Sequence, residues 1–216
     1  MDQGYFKSRF VFDGQRERVW VTLCRYIQRD VPEHARVLEI GAGYCHFINN
    51  VCAREKHAVD VCESLREYAG EDVRAHVQSC TSMPNFAADY FDVVFASNVF
   101  EHFERAEFEG TLAEVRRVLK AGGRLIVLQP NFKYCYREYF DDYTHRLIFT
   151  DVSLRDALVA WDFEILKVIP RLLPFSMQSR LPKVPALISL YLRLPVRPLA
   201  KQMYVVAKAK KDHVGR

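Results

Sequence analysis

Glycines and carboxylates spaced to hold a nucleotide-like ligand stand out in the first third of the chain. Residues 37–44, VLEIGAGY, are typical of a buried strand that breaks into a glycine turn and then a helix. A second predicted strand ends at Asp60, about twenty residues after the glycines. From the carboxyl end of a parallel strand, such a carboxylate can reach ribose hydroxyls. The turn and the acid together predict a cofactor site.

Two departures from the dinucleotide-binding pattern decide which cofactor fits. His46 stands where a pyrophosphate binder has its third glycine, which lets the helix pack closely and aim its N–H groups at the phosphates. Glu39 precedes the first glycine and would repel a pyrophosphate. The same carboxylate suits a ligand with a cationic sulfonium, an ammonium group and no phosphate. S-adenosylmethionine is such a ligand.

In four ordered blocks the chain resembles the class I S-adenosylmethionine-dependent methyltransferases. The blocks are residues 37–43, 58–60, 91–98 and 119–125, and the likeness spans about residues 36–169. Within the family, the chain is most similar to small bacterial enzymes that modify sugars, lipids, quinones or secondary metabolites. The resemblance implies a Rossmann-like α/β fold. Its doubly wound sheet is mostly parallel, with strand order 3-2-1-4-5-7-6 and an antiparallel last strand.

The resemblance also implies contacts with the cofactor, residue by residue. Glu39 is expected near the methionine amino group, and Asp60 is expected on the ribose. Gly41 and Gly43 are expected to allow a close backbone approach. The remaining members of the expected cofactor site are Ala42, Val61, Ser79, Cys80, Ser97 and Asn98, the last two at the methyl and methionine end.

The adenine contact departs from the family pattern. Many members carry an acidic residue after the third strand, which accepts from the adenine amino group. This chain has Ser79, Cys80 and Thr81 there. A hydroxyl or a backbone carbonyl is therefore expected to take this role, while Val61 or Cys62 touches the ring.

Two histidines are candidates for a general base, since the unperturbed pKa of imidazole suits proton transfer near neutral pH. His102 follows Glu101 where the family often carries Glu-His, although it could equally be a packing residue beneath the site. His145 lies in the aromatic and charged stretch 132–146. Asp142 could orient His145 as in other carboxylate–histidine pairs. The alternative for His145 is to cap the next helix.

The same stretch is expected to bind the methyl acceptor, because tyrosine rings stack on sugars and other rings. The expected substrate-binding residues are Tyr134, Tyr136, Tyr139 and Asp142. Carboxylates also favour magnesium, for which the potential ligands are Glu101, Asp141, Asp142 and His145. Adjacent aspartates on a loop more often cap a turn, so no metal is predicted.

These observations predict methyl transfer from S-adenosylmethionine to a small molecule or to a saccharide or secondary-metabolite intermediate. Oxygen is the expected acceptor atom, because two histidines are available to remove a proton. Two alternatives stay open: the same chemistry on a protein or RNA, and a non-catalytic scaffold subunit that binds the cofactor. The net charge of +4, with both signs mixed along the chain, argues against a dedicated nucleic-acid binder.

The elements that must position these residues fit one domain of 216 residues. A helical cover is predicted at 1–35 with a helix at 16–29, and the cofactor-binding core at 36–169 includes a helix at 44–54. Residues 170–202 are read as a lid or as a passive packing insert. Residues 203–216 are expected to form the last strand and a tail.

Composition gives weaker expectations about location and partners. The six cysteines show no paired metal or redox spacing, and the N-terminus lacks the apolar core of a signal peptide, so a cytoplasmic protein is expected. No stretch is long enough to cross a bilayer. Residues 185–194 are apolar enough to lie on a membrane surface or to form a homodimer. The basic residues after 170 could serve an anionic substrate, a membrane surface or only a charged tail.

Overall fold

The computed structural model describes residues 14–174 and 184–211. Its strands are β1 Arg36–Ile40, β2 Glu55–Asp60, β3 Val73–Val77, β4 Phe91–Ser97, β5 Leu119–Pro130, β6 Phe163–Pro174 and β7 Ala200–Ala209. They form one sheet in the order β3-β2-β1-β4-β5-β7-β6. The first five strands are parallel, and β7 is antiparallel to both β5 and β6. The predicted Rossmann-like topology is confirmed.

Helices cover both faces of this sheet. They are α1 Gly14–Ile27, α2 Leu65–Tyr68, α3 Arg105–Val118, α4 Phe132–Cys135, α5 Asp151–Ala160 and α6 Pro185–Arg193. Trp20 and Leu23 of α1 belong to the apolar cluster on one face. Leu112 of α3 and Leu154 of α5 belong to the cluster on the other. None of the described helices is both long and apolar enough to cross a membrane.

Strand β1 shows how the sequence divides its side chains between these faces. Val37 packs in the α1 cluster, whereas Leu38 and Ile40 pack in the cluster of α3 and α5. The alternation follows from the pleat of a strand. Because helices bury both faces, the strand is apolar almost throughout. The exceptions are Arg36 at its start and Glu39, which is only 4% exposed.

The predicted helix at 44–54 is wrong, because this segment forms a single turn at residues 46–50 before β2 begins. The side-chain amide of Asn50 donates to the backbone carbonyl of His46 at 2.9 Å. That of Asn49 donates to a carbonyl at the end of α2 at 2.8 Å. Asparagine side chains that take backbone partners compete with helical hydrogen bonds. The connection from the glycine turn to β2 is therefore short and irregular.

The late elements differ from the prediction at their ends. Helix α3 stops at Val118, and β5 already pairs with β4 at Leu119. Strand β6 continues to Pro174 and β7 starts at Ala200, so the connection is shorter than the predicted 170–202 insertion. It contains a short apolar helix, α6. Residues 175–183 of the insertion lie outside the described residues.

A buried polar cluster around Asp30 joins the N-terminal segment to the far side of the sheet. The Asp30 carboxylate accepts from Lys167 Nζ at 2.6 Å and from the Tyr204 hydroxyl at 2.8 Å. Its backbone carbonyl accepts from the Arg124 guanidinium at 2.8 Å. Tyr204 is fully buried, so its hydroxyl depends on this carboxylate for a partner. The cluster connects the end of α1 to β5, β6 and β7.

We expect Asp30→Ala to lower the free energy of unfolding by about 2–3 kcal/mol, since it leaves a buried hydroxyl without an acceptor. The ion pair adds little, because Lys167 is partly exposed. Urea denaturation measures the change. Asp156→Ala, which removes an exposed carboxylate of α5, is the control and should change stability by no more than about 0.5 kcal/mol. Equal effects of the two substitutions would contradict this account.

Candidate active site

The glycine turn after β1 has a backbone that only glycine adopts easily. Gly41 has φ +61° and Gly43 has φ +50°, both in the left-handed region. A Cβ at Gly41 would lie 2.5 Å from Cγ2 of Val99, which follows β4. The turn therefore lies directly against the β4 loop, and both stand at the carboxyl ends of parallel strands, where α/β sheets bind ligands.

Asp60 fixes the glycine turn to the end of β2. Its Oδ2 accepts from the backbone N–H of Gly43 at 2.9 Å, and its Oδ1 accepts from that of Cys62 at 2.9 Å. Each carboxylate oxygen can accept a second hydrogen bond. Val61 beside it is 49% exposed. A carboxylate anchored by two amides and flanked by an exposed apolar side chain fits the ribose and adenine contacts expected here.

Glu39 is buried beneath the same turn. Its Oε2 accepts from the backbone N–H of Ile48 at 2.9 Å, which stabilises the short turn at residues 46–50. Burial raises the pKa of Glu39 well above its usual value, and the carboxylate of Asp60 adds to the effect. A cationic group of a ligand would favour the charged form of this carboxyl. Glu39 therefore has a structural role as well as its predicted contact with an ammonium group.

The predicted adenine side of the site is only partly available. The hydroxyls of Ser79 and Thr81 lie 2.7 Å apart. Cys80 is 8% exposed and contacts Thr111 Oγ1 through Sγ at 3.7 Å, and burial raises the pKa of its thiol to about 11. Its side chain packs toward α3, which leaves the backbone carbonyl of Cys80 for the predicted adenine contact. Only its backbone can serve the adenine.

Ser97 and Asn98 stand at the end of β4 as predicted. Asn98 has φ +53°, and its backbone N–H donates to the carbonyl of Leu128 in β5 at 2.8 Å. Its side-chain amide donates to Ser97 Oγ at 3.2 Å and its Oδ1 accepts from Gln202 Nε2 at 3.4 Å. Sequence reasoning missed Gln202, which lies opposite Pro130 only because β7 pairs antiparallel with β5.

Glu101, His102 and His145 form a compact cluster after β4. One potential ligand atom of each lies within 4.8 Å of those of the other two, and the imidazole centroids are 5.0 Å apart. Glu101 is 1% exposed, and neither of its carboxyl oxygens has a hydrogen-bond partner among the described residues. Burial, with the nearby Asp142 carboxylate, raises the pKa of Glu101 to about 8. Burial and then His145 lower the pKa of His102 to about 4.

Asp142 is linked by hydrogen bonds to His102, whereas the prediction paired it with His145. Its Oδ1 accepts from the Thr144 hydroxyl at 2.6 Å and from the Thr144 backbone N–H at 3.0 Å. Thr144 Oγ1 in turn lies 2.9 Å from His102 Nδ1. The predicted direct pair with His145 is therefore replaced by a chain from Asp142 through Thr144 to His102. The sequence offered no pattern for Thr144, which the loop brings next to a residue 42 positions earlier.

These hydrogen bonds indicate which imidazole nitrogen of His102 carries the proton. The Thr144 hydroxyl hydrogen is donated to Asp142, so His102 Nδ1 must donate to Thr144 Oγ1. His145 Nδ1 lies 2.6 Å from the backbone carbonyl of Tyr139, which can only accept. When either ring is neutral, its lone pair is therefore on Nε2. The alternative cap role of His145 is not observed, because Thr150 caps α5.

The three predicted substrate-binding tyrosines have different environments. Tyr139 is 1% exposed and its hydroxyl donates to the carbonyl of Leu147 at 2.6 Å. It packs beneath His145, which corrects its expected role of stacking on an acceptor. Tyr136 is 54% exposed. The Arg171 guanidinium lies 4.9 Å from the ring centroid of Tyr134, a cation–π geometry.

In comparison with known proteins, residues 38–127, from β1 to β5, match a family model described as a methyltransferase domain. None of the curated proteins compared with the chain matches it. Three solved structures have a similar fold. An S-adenosylmethionine-dependent methyltransferase from Archaeoglobus fulgidus is 16% identical in sequence to this protein. Its TM-score is 0.66, and the match covers 96% of this chain and 100% of that chain.

A complex of the Haloferax volcanii Trm112 methyltransferase activator with its methyltransferase is 17% identical, with a TM-score of 0.68 over 94% of each chain. The 1,6-didemethyltoxoflavin-N1-methyltransferase of Burkholderia thailandensis, with bound 1,6-didemethyltoxoflavin and S-adenosylhomocysteine, is 17% identical, with a TM-score of 0.61 over 96% of this chain and 84% of that chain. Identities this low establish the fold. The domain match covers residues 38–127, and the neighbours that share the fold include S-adenosylmethionine-dependent methyltransferases.

Gly41→Ala should destabilise the protein by roughly 2–4 kcal/mol, because the new Cβ meets Val99 and adopts a left-handed backbone. Gly110→Ala is the matched control. Its Cβ would find its nearest neighbour at 3.8 Å within α3, where alanine is the better helix former. Urea denaturation of both variants checks the difference. Adding Val99→Ala to Gly41→Ala should restore part of the loss, and no restoration would contradict the proposed clash.

Proposed function

We propose that this chain transfers a methyl group from S-adenosylmethionine to a hydroxyl oxygen of a small molecule or of a saccharide or secondary-metabolite intermediate. The observation that carries the choice of oxygen is the hydrogen-bonded chain Asp142–Thr144–His102 at the carboxyl end of β4. A hydroxyl must lose its proton to become a good nucleophile. The hydrogen bonds from Asp142 through Thr144 orient the His102 imidazole to accept that proton.

The proposed cofactor site follows the carboxyl edge of β1, β2 and β4. Asp60 binds the ribose hydroxyls with the oxygen lone pairs that Gly43 and Cys62 leave open. Glu39 attracts the amino group, and Ser97 and Asn98 line the methyl end. The remaining contacts come from Gly41, Ala42, Val61, Ser79 and the backbone of Cys80.

S-adenosylmethionine supplies a methyl carbon activated by its sulfonium, and the carbon–sulfur bond breaks as the new oxygen–carbon bond forms. The protein then mainly has to align the acceptor and remove its proton. His102 is neutral at pH 7 because its pKa is low, and its Nε2 is the nitrogen proposed to accept the proton of the acceptor hydroxyl. Asp142, acting through Thr144, stabilises the imidazolium that results.

The acceptor is proposed to lie against the segment after β5. Tyr136 offers an exposed ring, and Tyr134 with Arg171 offers a flat surface carrying a positive charge. The Burkholderia thailandensis neighbour has a small-molecule acceptor in its structure, which supports a small molecule here, although that enzyme methylates a nitrogen. An oxygen acceptor is favoured in this chain by the proton-accepting histidine.

A second candidate is an enzyme of the same chemistry that requires a partner subunit, acting on a protein or RNA. The Haloferax volcanii neighbour, which is a complex with an activator, favours it. Leu187, Leu190 and Leu199 in and after α6 are exposed apolar residues that a subunit could cover. Under this reading the isolated chain binds the cofactor weakly or is unstable alone, and salt-sensitive retention on nucleic acid would identify RNA as the target.

Calorimetric titration with S-adenosylmethionine and S-adenosylhomocysteine tests the cofactor site. Asp60→Ala should raise the Kd of both ligands about 10- to 100-fold, the effect of losing hydrogen bonds to a charged group. Asp156→Ala is the control for removing a carboxylate and should leave the Kd unchanged. NADH should not bind. Absence of binding to the folded wild-type chain would favour the alternative that requires a partner subunit.

Thr144→Val should lower kcat by about 10-fold or more with little change in KM, because it disconnects His102 from Asp142 but retains the shape of the side chain. Thr144→Ser retains the hydroxyl and should recover most of the activity. His102→Ala should lower kcat further. The readout is S-adenosylhomocysteine release across a panel of hydroxylated acceptors. If Thr144→Val and Thr144→Ser behave alike, Thr144 has only a packing role.

A further inference from the structure

The cluster of Glu101, His102 and His145 has the composition of a transition-metal site. Two imidazoles and one carboxylate, with potential ligand atoms within 4.8 Å of one another, converge at the carboxyl end of β4. We propose that these three side chains bind one divalent transition-metal cation. This set differs from the magnesium ligands considered from the sequence, because Asp142 binds Thr144 and supports His102 instead.

Both histidines are oriented in the way that metal-binding histidines usually are. His145 Nδ1–H donates to the carbonyl of Tyr139 at 2.6 Å, and His102 Nδ1–H donates to Thr144 Oγ1, which is itself bonded to Asp142. In metal sites the second ring nitrogen of a ligating histidine typically donates to a carbonyl or carboxylate, which fixes the tautomer and raises ligand basicity. Here the arrangement makes Nε2 the lone-pair nitrogen of each ring.

Glu101 supplies an independent observation. Its carboxyl group is 1% exposed, and both oxygens lack a hydrogen-bond partner among the described residues. A buried polar group without a partner costs free energy, so proteins rarely retain one without a ligand or a functional role. A cation coordinated by Glu101 would satisfy these oxygens and stabilise the charged carboxylate.

The ligand chemistry selects the class of cation. Imidazole nitrogen suits zinc, iron, copper and nickel, whereas magnesium and calcium prefer oxygen ligands. Two histidines and one glutamate are also the protein ligands of some catalytic zinc sites, which leave a position open for water or substrate. Metal–ligand bonds of about 2.1 Å require the three atoms to lie no more than about 4 Å apart, so the side chains close slightly on binding.

The cation would replace His102 in activating the acceptor hydroxyl, and this step rests on the proposed methyl transfer. A hydroxyl of the acceptor bound at the open position loses its proton more easily, because the positive charge lowers its pKa. The proton then leaves to water, and His102 serves as a ligand while the cation is bound.

Calorimetric titration of the full chain, stripped with a chelator, with zinc chloride and with magnesium chloride tests the site without methyl donor or acceptor. We expect one zinc ion per chain with micromolar or tighter Kd, and magnesium binding at least about 100-fold weaker. Substitution of a residue that hydrogen-bonds to a metal ligand typically weakens metal binding roughly 10- to 100-fold. Glu101→Gln and His145→Asn, which change ligands themselves, should each raise the zinc Kd by more than this. Circular dichroism confirms that each variant is folded.

The chain offers a matched control in Glu33 and His34, an adjacent glutamate and histidine that are both exposed. The double variant Glu33→Gln, His34→Ala should bind zinc as the wild type does. Absence of zinc binding, equal binding of magnesium, or zinc binding unchanged in both Glu101→Gln and His145→Asn would overturn the proposal. If one variant fails to fold, the other decides. Loss of the metal site would leave the cofactor titrations unaffected, so the two proposals fail separately.

Discussion

The carboxylate of Asp60 is the contact on which the cofactor end of the molecule depends. It accepts one hydrogen bond from the backbone N–H of Gly43, in the turn after β1, and another from that of Cys62, just beyond β2. It therefore holds two neighbouring strand ends in one geometry. The turn cannot move away, because Gly41 lies against Val99 of the β4 loop with no room for a Cβ. Three strand ends are thus fixed before any ligand arrives, which is the pre-organisation that binding requires.

The same edge of the sheet also holds two buried carboxyl groups, Glu39 and Glu101. Burial raises the pKa of each, so both cost stability when they ionise. The groups differ in what offsets that cost. Glu39 accepts a backbone N–H from Ile48 and holds a turn in place. Glu101 has no such partner among the described residues, so its retention in the interior is better explained by a ligand than by the fold.

Patterns that are local in sequence predicted the fold well. Strand β1, the position of Asp60 and the whole strand order follow from apolar runs, glycines and family spacing. The prediction of a helix after the glycine turn was wrong, because hydrophobic periodicity does not show which backbone groups a side chain will bind. The side-chain amides of Asn49 and Asn50 donate to backbone carbonyls, and the segment forms one turn before β2. The ends of β6 and β7 were also misplaced, because their extension depends on pairing with each other.

The candidate site also has one half that local sequence patterns predicted and one half that depends on contacts between distant residues. Much of its cofactor half lies within the segment from Glu39 to Val61, where the family resemblance predicts which groups meet. Its acceptor half joins Glu101 and His102 to residues some forty positions later, and there the sequence identified the histidines but paired Asp142 with the wrong one. Only a folded loop shows that Thr144 stands between the carboxylate and His102. Since a hydroxyl can pass on a hydrogen bond in either direction, that threonine determines which imidazole nitrogen faces a reacting group.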